Sequence, residues 1–224
     1  MFGTPRRNPR LAATVLTMME TGYSDRINHA LAFAAKHHDR QVRKGTRLPY
    51  VTHAANVAVI LARYDCDDDT VVAGILHDVI EDCVREHYTR DMLTQRIGEK
   101  FGNHVLDTVL AVTQRTLDDD GVELSNEERR DDYLDRLASA DESARWVCAA
   151  DKVHNANTIL ADLKRTIDAN TVWSRFHAGK DGTIRWYRRV YERLREIGFN
   201  ASIMRELERT VVELEQHLEA EARV

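Results

Sequence analysis

The sequence predicts an all-α protein, a multi-helix bundle, and three observations carry that expectation. Apolar residues recur at helical spacing through most of the 224 residues, while strand-type alternation is hard to find. Only 10 Gly and 3 Pro occur, so the turn punctuation of an all-β chain is missing. With 43% hydrophobic and 31% charged residues, the chain can bury a substantial core and still present a polar surface, which excludes a disordered chain.

Taken in order, the periodicity predicts helices near 10–20, 25–38, 53–64, 68–85, 89–99, 101–115, 126–138, 142–166, 170–197 and 202–222. The first follows a loose basic tail. Its apolar stretch is interrupted by Thr14, Thr17 and Glu20 and lacks a cleavage site, so it reads as an amphipathic helix and not a signal peptide. Ser24 and Thr52 are the expected N-caps of the second and third helices. Between these helices the stretch 41–52, QVRKGTRLPYVT, contains Gly45 and Pro49 and reads as a loop. Gly98 and Gly102 frame a tight junction, Asp118–Ser125 is an acidic solvated loop, and Gly198 ends the helix before it. The expected division is an extension with its helix over 1–22, a main domain over 23–200 and a covering helix over 201–224.

Composition narrows the function. A net charge of -5 speaks against nucleic-acid binding as the main task, yet leaves room for an anionic small molecule in a local basic or metal-bearing pocket. Cys66, Cys83 and Cys148 are odd in number and scattered, fitting neither a disulfide framework nor a thiolate zinc site. No apolar run reaches the ~18 residues of a membrane span. A cytoplasmic location, with no membrane partner, is therefore expected; whether the last helix is solvated or joins a homo-oligomer is left open.

The chemistry begins at Val72, in VAGILHDVIEDC. His77 and Asp78 adjoin on an apolar helix, projecting ~100° apart so that both can reach one ion. Glu81 lies four residues from His77 and Asp82 four from Asp78, on shared faces. Burying so many ionisable groups is costly unless a cation or a catalytic task compensates. Alone, the pair is compatible with ordinary helix-surface residues. Company comes from His53, after the Pro49 loop, and from Asp151 in WVCAADKVHNANTIL. Two imidazoles and two carboxylates suit Mn, Fe, Co or Zn, and are less typical of Ca.

The order H…HD…D resembles the HD phosphohydrolase superfamily, and more specifically the hydrolase domain of the RelA/SpoT group with its stand-alone small alarmone hydrolases. The matching stretches are HDRQVRKGTRLPYVTHAANVAVIL (38–61), DDTVVAGILHDVIEDC (68–83), IGEKFGNHVLDTVLAVTQ (97–114) and ADKVHNANTIL (150–160). The resemblance implies an HD-domain bundle around a metal site, with His53, His77, Asp78 and Asp151 as ligands of a metal, usually manganese. It implies that Glu81 and Asp82 act on the attacking water and the leaving group. It places Arg43, Lys44, Asn155 and Thr158 at the nucleotide, with Lys152 nearby. Two positions depart from the pattern: Ala54 stands where Pro usually follows the first ligand, and Lys152 where Arg is common. Lysine lacks the bidentate fork of arginine, which touches fine substrate recognition and no ligand.

The implied activity is hydrolysis of a guanosine tetra- or pentaphosphate (ppGpp or pppGpp) at its 3′-pyrophosphate, with no synthetase segment to make it. Alternatives are the same chemistry on another nucleotide, such as NADPH or a nucleoside phosphate, a non-catalytic alarmone-binding regulator, and a helical interaction protein with a structural metal. His37 and His38 read as packing or supporting residues, His154 as support for its helix, and Cys83 as a buried inert thiol. The aromatics Trp173, Phe176, Trp186 and Tyr187 read as packing against the bundle.

Overall fold

The computed structural model describes residues 23–219, so the expected helix at 10–20 and the extension 1–22 lie outside the described residues, as does the end of the last helix. Within them the chain forms eleven helices: α1 (Asp25–His37), α2 (Val51–Arg63), α3 (Asp68–Leu76), α4 (Val79–Asp82), α5 (Arg90–Phe101), α6 (Asn103–Val112), α7 (Asn126–Ser139), α8 (Glu142–Arg165), α9 (Asn170–Trp173), α10 (Gly179–Glu196) and α11 (Met204–Glu219). Strand-type pairing among the described residues is confined to isolated bridges in loops, such as Val42 with Pro49 and Leu117 with Glu123. No helix among them is long and apolar enough to cross a membrane.

Local sequence explains most boundaries. The Ser24 hydroxyl accepts from the Ile27 N–H and starts α1. Asp67, Thr89 and Asp141 do the same for α3, α5 and α8, and Ser125 with Glu128 forms a reciprocal capping box on α7. Thr52 is not a cap. Helix α2 begins earlier, at Val51, because the Pro49 carbonyl accepts both the Thr52 N–H and its hydroxyl. Gly102 alone makes the α5–α6 junction, and Gly98 lies inside α5.

Two long expected helices are broken. The one over 68–85 ends at Leu76 and restarts at Val79, with His77 and Asp78 forming the joint. The one over 170–197 splits into α9 and α10 around a turn at 174–178. The joint at 77–78 holds no Gly or Pro to announce it, whereas the second break runs into Gly179, whose φ of +62° is a stop signal the periodicity overrode.

Helix α3 is the centre of the bundle. Every residue from Thr70 to Leu76 is buried, and the helix packs against α1, α2, α6 and α8. Its approach to α2 is close at Gly74, where a Cβ would stand 2.4 Å from Leu61 Cδ1. A segment buried on every side needs no polar face, which is why 71–76 is apolar all round. Helix α8 is buried from Val147 to Asp151, then turns polar, and α11 closes over α8 and α10 with Leu207, Val211 and Leu214 in the core.

Candidate metal centre

Three elements deliver donors to one point. His53 comes from the first turn of α2, His77 and Asp78 from the α3–α4 joint, and Asp151 from the middle of α8. His53 Nε2 lies 3.2 Å from His77 Nε2, 3.2 Å from Asp151 Oδ1 and 3.4 Å from Asp78 Oδ2. His77 Nε2 lies 3.0 Å from Asp78 Oδ2 and 3.7 Å from Asp151 Oδ1. Ligands ~2.0–2.2 Å from one ion stand ~3.0–3.5 Å from each other, so these spacings suit a shared cation.

The hydrogen bonds fix which nitrogens point inward. His77 Nδ1 lies 2.7 Å from the Gly74 carbonyl, which can only accept, so Nδ1 carries the hydrogen and Nε2 is the lone-pair side of the neutral ring. His53 Nδ1 pairs with His154 Nδ1 at 2.7 Å, leaving Nε2 for the centre. Two imidazole lone pairs and two carboxylates on one point repel one another unless a cation sits between them. Protons are the alternative. Burial opposes charge on His77, but Asp78 and Asp151 outweigh it and hold its imidazole well above the ordinary range. Burial likewise pushes Asp78 and Asp151 up, and is outweighed by His77, His53 and, for Asp151, Lys152. The residues present therefore fit a divalent metal.

Around the centre, hydrogen bonds orient the donors. Tyr50 Oη donates to Asp78 Oδ2 at 2.5 Å and stacks on His38, ring centroids 4.7 Å apart. Lys152 Nζ donates to Asp151 Oδ2 at 2.5 Å, and Asn155 Nδ2 donates to Asp151 Oδ1. Burial disfavours the Lys152 ammonium, but Asp151 outweighs it and holds the group charged.

The acidic pair sits at the edge of the centre. Glu81 is open to solvent on one side and hemmed in by protein on the others, and burial, then Asp78, raises its carboxyl to about 7. The Gln114 N–H donates to Glu81 Oε2 at 2.8 Å and works against that rise. Asp82 is raised too, by burial and then Asp78, and accepts from Gln41 Nε2 at 2.7 Å. A cavity of about 50 Å³, room for a water, is lined by His77, Asp78, Glu81, Gln114, Asp151 and Lys152.

The expected nucleotide residues are distributed along one edge. Arg43 Nη2 donates to Asn155 Oδ1 at 2.6 Å, which joins the 41–50 loop to α8. Lys44 is exposed on that loop. Thr158 is two turns beyond Asp151, and its hydroxyl donates back to the His154 carbonyl at 2.9 Å. His38 is the supporting residue expected, and three others escaped the sequence reading as parts of the site: Tyr50, Gln41 and His154. The first two lie within QVRKGTRLPYVT, and loop residues spaced from the HD pair by dozens of positions carry no periodic signal. Cys83 has a basic neighbour after all, His38 Nδ1 at 3.3 Å, yet burial pushes its thiol up to about 12 and keeps it inert.

The sequence matches the HD domain family across residues 30–184. The chain belongs to the HD domain family. Among curated HD domain relatives, the guanosine-3′,5′-bis(diphosphate) 3′-pyrophosphohydrolase of Drosophila melanogaster is 30% identical over 188 residues, covering 83% of this chain and 92% of that protein. A GTP pyrophosphokinase of Myxococcus xanthus is 34% identical over 138 residues, but the match spans only 17% of that longer protein. A solved structure of a metazoan SpoT orthologue that hydrolyses ppGpp superposes on this HD domain with a TM-score of 0.66, at 28% identity, covering 86% of this chain and 97% of that one.

Proposed function

We propose that this protein hydrolyses the 3′-pyrophosphate of ppGpp or pppGpp, giving GDP or GTP and pyrophosphate, with manganese as its metal. The observation that supports it most is the joint presence of the His53–His77–Asp78–Asp151 cluster and the Glu81–Asp82 pair beside it, in a chain that covers nearly all of a relative bearing that activity. Residues 23–200 are the catalytic unit and the terminal helix is its cover.

A divalent metal bound by the four donors supplies Lewis acidity and brings a water towards neutral pKa. Glu81, with a carboxyl near neutrality, takes the proton of the attacking water at the phosphorus. Asp82, aimed by Gln41, returns a proton to the departing 3′ oxygen. Lys152 holds Asp151 and offers its positive charge to the phosphates; Arg43, Lys44, Asn155 and Thr158 receive the rest of the nucleotide.

The test is product analysis after incubating purified protein with ppGpp, with and without Mn²⁺, and with Asp78→Ala as control. GDP and pyrophosphate from the wild type with metal alone is the expected result. Bound metal without product moves the substrate to another phosphorylated nucleotide; bound ppGpp without product leaves a regulator.

A further inference from the structure

The polar residues of α8 beyond its buried half form a stripe. Asp151, Asn155, Thr158 and Asp162 stand at i, i+4, i+7 and i+11, one helical face. Asp162 lies ~16 Å along the axis from Asp151, too far to serve the metal. Its Oδ2 accepts from Arg175 Nη1 at 2.5 Å, with both side chains about one-fifth exposed (19% and 21%). Arg175 Nε also donates to the Thr171 carbonyl at 3.1 Å, so the guanidinium is held from two sides in the turn after α9.

The same guanidinium lies against Gly45. A Cβ on Gly45 would stand 2.2 Å from Arg175 Nε and 2.4 Å from Cζ, and the glycine has φ +81°. A side chain there would have to displace Arg175 and take a left-handed backbone, so the position favours glycine. Gly45 follows Lys44 directly, and residues 44–49 are all exposed, so little apolar burial orders this turn. Arg43 is tied to Asn155 at one end and Tyr50 to Asp78 at the other, and between them the Arg175 side chain lies against Gly45.

We propose that Asp162 and Arg175 are positioning residues for the nucleotide loop: the pair seats Gly45 and so fixes how Arg43 and Lys44 meet the phosphates. The inference rests on the nucleotide-hydrolase reading above. A guanidinium suits the task because Nη1 bonds Asp162 and Nε bonds Thr171 while Nε, Cζ and Cδ fill the space beside Gly45, which an ammonium cannot do.

Arg175→Ala and Asp162→Asn should each raise KM for ppGpp about tenfold, keep kcat within about twofold and leave Mn²⁺ affinity unchanged. The double variant should be no worse than the poorer single one, because the two act as one unit. Arg175→Lys should recover part of the loss. In the substrate-free protein, amide hydrogen exchange over residues 43–48 should quicken in both single variants. Unchanged exchange and unchanged KM overturn the proposal, as does a loss of kcat in step with a lowered Tm. If the wild type itself leaves ppGpp intact, the hydrolase reading fails, and the exchange result still decides whether Arg175 seats the loop.

Discussion

The metal-facing half of the site and its nucleotide-facing edge are built in opposite ways. His53 and His77 are themselves buried, His53 on the inner face of α2 and His77 at the end of the buried α3, Asp151 is buried in α8, and each has a second bond that sets its direction. Arg43 and Lys44 ride on a loop whose residues are mostly exposed and which is held by a handful of polar contacts. The difference teaches that the placement of the His/Asp cluster is a property of core packing, whereas the placement of Arg43 and Lys44, the proposed nucleotide contacts, depends on a few tethers that single substitutions can cut.

The harshest way to break the rigid half is to remove a donor. Asp78→Ala should bring turnover to background and cut metal content, read by product formation and metal analysis after dialysis. Glu81→Gln comes next: kcat falls about 10²- to 10⁴-fold while metal stays bound, since the change removes a proton acceptor and no ligand. Retention of full kcat in Glu81→Gln would sink its role as base. Tyr50→Phe deletes the hydroxyl that aims Asp78 and should weaken metal affinity about 10- to 100-fold, with saturating metal restoring most of the rate.

On the loose half, Lys44→Ala should raise KM about fivefold with kcat and Tm little changed, the effect of one exposed phosphate contact. The mildest perturbation is pH. The His77 imidazole is raised well above its ordinary range by the two carboxylates, and a metal requires it neutral. The proton therefore competes with the metal, and apparent affinity should climb as pH rises, about tenfold per unit while one proton is displaced. Calorimetry in buffers of different ionisation enthalpy measures the released proton. A pH-independent affinity would show that the ring is already neutral in the free protein.

Much of this was legible in the sequence, and the rest was hidden for identifiable reasons. Helix existence and order followed from periodicity, because α1, α2, α7 and α8 each combine an apolar face or run with a capping residue or loop signal. His53, His77, Asp78 and Asp151 stood out by motif and resemblance, and the two histidines lie 3.0–3.7 Å from the two aspartates; their roles, and those of Glu81 and Asp82, are the proposal that the variants above test. The break at His77–Asp78 was not legible, since VAGILHDVIED reads as uninterrupted helix; the joint is held instead by the bond from the His77 ring to Gly74 and by the contacts made by Asp78. Partnerships such as His53 with His154, Cys83 with His38 and Arg175 with Gly45 join residues 45 to 130 positions apart, and nothing local in a sequence announces them.

Arg136 donates to the carbonyls of Leu110, Ala111 and Thr113 and is itself held by Asp132, which also grips Arg115. The root of the 113–125 loop is thus clamped to α7, and Gln114 is fixed where its N–H meets Glu81. Beyond the clamp the tip at Asp119, Asp120 and Gly121 is exposed, turned by Asp118 and touched from the clamp only where Arg115 donates to Asp119. The molecule therefore has a natural splice point in the same loop whose root meets Glu81. A peptide or small reporter domain inserted at Gly121 should leave the catalytic geometry intact and move as an appendage. Descendants of this chain can lengthen, shorten or recharge that tip as cheap evolutionary variation.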